Sequence, residues 1–107
     1  MKPVFRRATA DVNIENAIDF YLMEADHVVD PFLAALQKAL EHIESPPETG
    51  SPRYAHKLNI PSLRIWPITR LPYLLLYIEH DDFVDLFHVM RMNPDIPARF
   101  QIDVQNS

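Results

Sequence analysis

Six side chains carry most of the chemical potential of this chain: Arg64, Trp66, Tyr73, Tyr77, His88 and Arg91. All fall in apolar stretches of extended character. Arg64 and Trp66 are two residues apart, and Tyr73 and Tyr77 are four apart, so strand alternation puts each pair on one face of its own strand. Such a set suits two kinds of chemistry. Cations can stabilise charge developing on a phosphate while an imidazole or phenol moves a proton. Alternatively, aromatic rings and guanidinium groups can dock a partner on a surface expected to lie opposite the helices. Both compete with a packing role, because Tyr and Trp in strands commonly sit half-buried and a histidine in an apolar strand is commonly hydrogen-bonded in the core.

Other reactive groupings are poorly represented. A single glycine, Gly50, cannot build a phosphate-cradling loop. Thiolate chemistry and disulfides are excluded because there is no cysteine. Histidines 27, 42, 56, 80 and 88 form no helical i, i+4 pair, and His80-Asp81-Asp82 reads as a polar hairpin turn. Ser45, Ser51, Ser62 and Ser107 fall in loops, at a strand start or at the terminus, never at a strand-to-helix elbow. Neither a catalytic nucleophile nor a metal site nor a cofactor is expected.

The elements that must position these residues follow from periodicity. "PVFR", residues 3–6, reads as a short strand. Ile14, Ala17, Ile18, Tyr21 and Leu22 repeat as one face of a first helix. Phe32, Leu33, Leu36, Leu40 and Ile43 form the stripe of a second, for which Asp30 is the expected cap and Pro31 the first helical residue. The stretch "SPPETGSPR", residues 45–53, breaks the pattern. Its prolines stop a helix, and Gly50 is expected to supply a positive φ. Three strand candidates follow, at residues 62–68, 73–79 and 83–91, joined by short links suited to antiparallel hairpins. Pro67 marks the first of them as an edge strand. The second, "YLLLYIE", is apolar on both alternating sets and is expected at the centre of the sheet, covered on both sides. The result is an α+β chain ordered β-α-α-β-β-β, with a helical hairpin packed on a small twisted antiparallel sheet. At 107 residues it is read as one domain over residues 1–107.

The formal charge of −5 argues against broad adhesion to nucleic acid, which needs many cations on phosphates. Its distribution is uneven: residues 53–78 hold four cations (Arg53, Lys57, Arg64, Arg70) and no acid, whereas residues 1–52 hold nine acids against four cations. This is either a locally basic face or a solvated surface. No stretch approaches the about 18 apolar residues of a membrane span, and the start of the chain lacks an apolar leader core. A soluble cytoplasmic protein is expected.

The order of elements resembles the ParE branch of the ParE/RelE toxin superfamily of bacterial toxin–antitoxin systems. The resemblance spans nearly the whole chain: "RRATADVNIENAIDFY", "VDPFLAALQKALEHI", "LRIWPI", "YLLLYIE" and the exit "HVMRMNPDIP". Arg64-x-Trp66-Pro67-Ile68 is similar to that family's Arg-x-aromatic-Pro-aliphatic strand. At the exit Asp95, Ile96 and Pro97 match, whereas Arg91 stands where a histidine is usual and Pro94 replaces an arginine. RelE-type members cut messenger RNA on the ribosome with a basic cluster that includes a cation after the tyrosine opening the middle strand. Leu74 occupies that position here, so the resemblance implies a ParE-like protein that poisons DNA gyrase by binding. It further implies neutralisation by a ParD-like or similar antitoxin within a hetero-oligomer. The implied contact residues are Arg64, Trp66, Tyr73, Tyr77, His88, Arg91, Asp95 and Arg99, with residues 92–107 as a C-terminal contact segment. The rival reading is a RelE-like endoribonuclease using Arg64, Tyr77, His88 and Arg91. A third is a member that has kept only antitoxin binding.

Overall fold

The computed structural model describes residues 2–44, 50–52, 55 and 59–92. Strand β1 (Val4–Arg6) leads into helix α1 (Ala8–Glu24); a 3-10 turn (Asp26–Val28) turns the chain into α2 (Val29–Glu44). Strands β2 (Leu63–Pro67), β3 (Tyr73–Glu79) and β4 (Val84–Arg91) follow. The four strands form one sheet in the order β1-β4-β3-β2.

The expected α+β architecture is present, and one pairing refines it. Strands β2, β3 and β4 run antiparallel through short turns. The first strand instead adds in parallel beside β4, with Val4 opposite Val84 and Arg6 opposite Leu86, so the sheet is mixed. A parallel neighbour requires a long crossover, and the helical hairpin supplies it.

Each helix turns one stripe inward. Ala10, Ile14, Ala17 and Tyr21 of α1 and Phe32, Leu36, Ala39 and Ile43 of α2 are buried with Tyr73, Leu75, Tyr77, Val84, Leu86 and Val89 of the sheet. Leu22 and Leu33, expected in those stripes, are exposed, while the smaller Ala10 and Ala39 are buried where helix and sheet approach closely. The 3-10 turn also shifts the start of α2: Asp30 and Pro31 sit within its first turn, not at its cap, and the missing proline donor there still leaves no bond unmade. Beyond the sheet, Leu63, Ile65, Leu74, Leu76 and Met90 form a second cluster, covered by Ala55, Ile60 and Phe87. Strand β3 therefore feeds two cores, which is why both of its alternating sets are apolar.

Gly50 serves a purpose different from the one its type suggests. The described residues with positive φ are Asn59, Ser62 and Arg70, and no glycine is among them. Glycine is required because a Cβ there would overlap the Tyr77 hydroxyl and lie 2.8 Å from Tyr77 Cζ and 3.0 Å from the Ile65 carbonyl oxygen. Next to it, Ser51 exchanges backbone hydrogen bonds with Ile65, N to O 3.0 Å and 2.9 Å. That contact, together with Pro67, blunts the edge presented by β2.

A polar lock holds β1 to the hairpin of β3 and β4. Asp85 is the one buried charged residue among the described residues. Arg7 grips it with both arms of its guanidinium, Nε to Oδ1 at 2.8 Å and NH2 to Oδ2 at 2.7 Å. Hydrogen bonding from Arg7 holds the Asp85 carboxyl below the usual carboxylate range; burial opposes this, while the charges of Arg7 and His80 add to it. Lys2 joins the same lock through Glu79.

Candidate functional site

The six residues singled out by type and spacing do not make one surface. Tyr73 and Tyr77 face the helices instead of lying opposite them, and both are buried in the main core. Tyr73 closes an aromatic group with Phe32, ring centroids 5.6 Å apart, and with Tyr21 at 6.3 Å. Burial pushes the Tyr21 phenol up in pKa, helped by Tyr73 and opposed by Arg91. Trp66 packs against the same core and stacks on His42 of α2, centroids 3.8 Å apart and rings 14° from parallel. Arg64 donates from NH1 to the Gly50 carbonyl at 2.7 Å, holding the Gly50 segment against β2. The expected aromatic and cationic face is thus corrected to packing and bracing. Alternation placed these side chains on shared faces, but it could not say which face the helices would cover.

His88 and Arg91 separate from the rest. His88 pairs with Leu76, whose side chain belongs to the cluster on the far side of the sheet. A bulge between β3 and β4 makes this possible: Leu76 opposes His88 while Tyr77 opposes Leu86, so Phe87 is the extra residue that resets the alternation. Arg91 is exposed and places its guanidinium carbon 5.0 Å from the centroid of Phe20 on α1. Asp95, Arg99 and the remainder of the exit from Asn93 onward lie outside the described residues, as do Arg53 and Lys57.

What the sequence pattern missed is the outer side of α1. Val12, Phe20 and Met23 are 51%, 42% and 86% exposed. At spacings of eight and three they fall on one stripe, with Thr9 and Asn16 between and before them. Asp19, exposed and four residues before Met23, borders this stripe on one side, and the Phe20–Arg91 contact borders it on the other. Helix α1 therefore exposes large apolar side chains among its polar ones, and a search for one amphipathic face finds only the buried side. Beside the stripe, β1 has ended at Arg6, opposite Leu86, and β4 continues without a strand neighbour on that side. Asn13 of α1 partly replaces that neighbour by accepting the Val89 N–H at 3.0 Å.

This arrangement is suited to docking. Exposed apolar side chains on α1, a cation braced over Phe20 and the stretch of β4 beyond β1 offer apolar area, a charge anchor and backbone groups. It is poorly suited to phosphodiester cleavage, since Tyr77 is wholly buried and His88 lies in the register of the opposite face. Among the described residues there is no group of three or more His, Asp or Glu that could hold a metal ion. No helix among them is long and apolar enough to cross a membrane.

Comparison with known proteins adds two findings. The profile of the family described as ParE toxin of type II toxin–antitoxin system, parDE, matches residues 4–95. A solved structure described as the chromosomal ParDE TA system from P. aeruginosa superposes with a TM-score of 0.71 at 12% identity, covering 87% of this chain and 98% of that one. At that identity the likeness is one of fold. No curated protein matches the chain.

Proposed function

Because the chain belongs to the ParE toxin family of type II toxin–antitoxin systems, we propose that it is a cytoplasmic toxin that acts by binding DNA gyrase and is silenced by a cognate antitoxin. The antitoxin holds it in a hetero-oligomer. The observation that carries this reading is the set of exposed apolar side chains Val12, Phe20 and Met23 on α1, beside the stretch of β4 that β1 leaves without a strand neighbour, with Arg91 over Phe20. An apolar stripe of this kind on a small domain is what a partner segment covers when it folds on binding. The mode of action is docking and not bond breaking: the groups a nuclease would use are buried, engaged or on opposite faces of the sheet. An acidic chain is compatible with a protein target, whereas binding to bare nucleic acid would need a surplus of cations.

The test is a supercoiling assay with purified gyrase. The chain is expected to inhibit at micromolar concentration or below, to raise the fraction of cleaved DNA trapped on the enzyme, and to lose both effects when the antitoxin is added. Full gyrase activity in the presence of excess chain would remove the gyrase assignment. Codon-specific cuts in translated messenger RNA would replace it with ribosome-dependent endoribonuclease activity. Tight antitoxin binding without either effect would leave a protein whose sole activity is to regulate through that complex.

A further inference from the structure

A concave surface lies between α2 and the turn joining β2 to β3. It is a groove of about 540 Å³ lined by Pro31, Ala34, Ala35 and Lys38 of α2 and by Arg70 and Leu71 of the turn, among others. Pro31, Ala35 and Lys38 recur at helical spacing, so one flank of α2 forms a wall. The lining contains two cations and no acid. Neither Lys38 nor Arg70 forms an ion pair with any acid among the described residues. In a chain of net charge −5 this is a local reversal of sign. Arg70 also sits at φ 66°, a left-handed conformation that is unfavourable for any side chain and natural for glycine. The turn therefore carries a cation at the position where backbone geometry alone would favour glycine.

We propose that this groove seats an acidic, apolar peptide segment belonging to the neutralising partner, with carboxylates on Lys38 and Arg70 and an aliphatic side chain against Pro31, Ala34 and Leu71. The proposal rests on the reading of the chain as the target of a protein antitoxin and adds the chemistry by which one segment of it is recognised. Charge complementarity selects the occupant. Two cations over an apolar floor fit a short run mixing Asp or Glu with Leu, Ile or Val, whereas a nucleic acid strand needs a longer cationic track. The volume falls within the roughly 300–1,000 Å³ of small-ligand pockets, enough for a few side chains.

The backbone of Arg70 provides an unusually clean test. Arg70→Gly removes the cation and relieves the left-handed strain, so loss of binding cannot come from loss of folding. Fluorescence anisotropy would be measured with labelled synthetic peptides tiling the C-terminal half of the cognate antitoxin. The wild-type chain, Arg70→Gly, Lys38→Gln and the double variant would be compared at low and high salt. One acidic peptide should bind the wild type. It should weaken by about tenfold in the double variant, with the gap narrowing as salt rises. The melting temperature should be unchanged in Lys38→Gln and unchanged or higher in Arg70→Gly. Equal binding by wild type and double variant would overturn the groove assignment while leaving the toxin–antitoxin reading intact. If neither peptides nor intact antitoxin bound the wild-type chain, the partner reading itself would fall. Displacement of the bound peptide by a single-stranded oligonucleotide of similar affinity would overturn the peptide in favour of nucleic acid.

Discussion

Replacing Gly50 with alanine tests whether the contact between the Gly50 segment and β3 is as tight as the geometry requires. The added Cβ would overlap the Tyr77 hydroxyl and sit 2.8 Å from Cζ, whereas carbon atoms in comfortable contact are about 3.5–4.0 Å apart. Tyr77 is wholly buried and cannot swing into solvent, so its ring must retreat by roughly 1 Å into the packed core. Retreat of the backbone is no easier, because the Ile65 carbonyl lies 3.0 Å from the same Cβ and already accepts the Ser51 N–H. Overpacking of this kind costs about 3 kcal/mol, and the lower entropy of the unfolded alanine chain returns about 0.5–1 kcal/mol. The net loss is about 2 kcal/mol, equivalent to a fall in Tm of roughly 8–10 °C for a domain of this size. Urea unfolding followed by the fluorescence of the single tryptophan, Trp66, measures it, since stacking on His42 ties that ring to the folded state. A second variant isolates the cause. Tyr77→Phe deletes the overlapping oxygen, so Gly50→Ala with Tyr77→Phe should be more stable than the sum of the single changes by about 1 kcal/mol. Strict additivity, or a Gly50→Ala chain as stable as wild type, would refute the argument that close approach is what demands glycine here.

Further outcomes can be checked with the same unfolding assay. Asp85→Asn should cost about 1–2 kcal/mol at neutral pH, because the charge-assisted fork from Arg7 gives way to the weaker hydrogen bonding of a buried neutral amide, while the exposed Arg7 rehydrates. Since the folded pKa of Asp85 lies below the unfolded value of about 3.9, its contribution is present above that value and is lost as pH falls through the folded pKa. The stability gap between wild type and Asp85→Asn should therefore shrink in acid, and a gap independent of pH would show that the pair with Arg7 is not the source. Tyr73→Ala should destabilise by about 3–5 kcal/mol through the cavity left among Tyr21 and Phe32, whereas a pure contact residue would leave stability untouched. Met23→Asp on the outer stripe of α1 should change stability by no more than about 0.5 kcal/mol yet weaken antitoxin capture in a pull-down. Retained capture would move the docking surface elsewhere.

Much of the architecture was legible along the chain because its determinants are local. The period of Phe32, Leu36 and Ile43 marks α2, the double apolar pattern of "YLLLYIE" marks a strand with a core on each side, and Pro67 marks an edge; each is read from neighbours within a few residues. Family resemblance was legible for the same reason, since it rests on the order of such local phrases. Tertiary structure alone decided what depends on contacts between distant residues. It set β1 parallel to β4 across the crossover. It turned Tyr73, Tyr77 and Trp66 toward the helices, and it placed His88 on the far face through a bulge that shifts alternation by one residue. Gly50 shows the difference most plainly: its type announced conformational freedom, but the reason only glycine fits is a tyrosine ring 27 positions further along the chain, brought against it by the pairing of β2 with β3. Periodicity specifies which residues share a face; only the packed sheet and helices decide what that face meets.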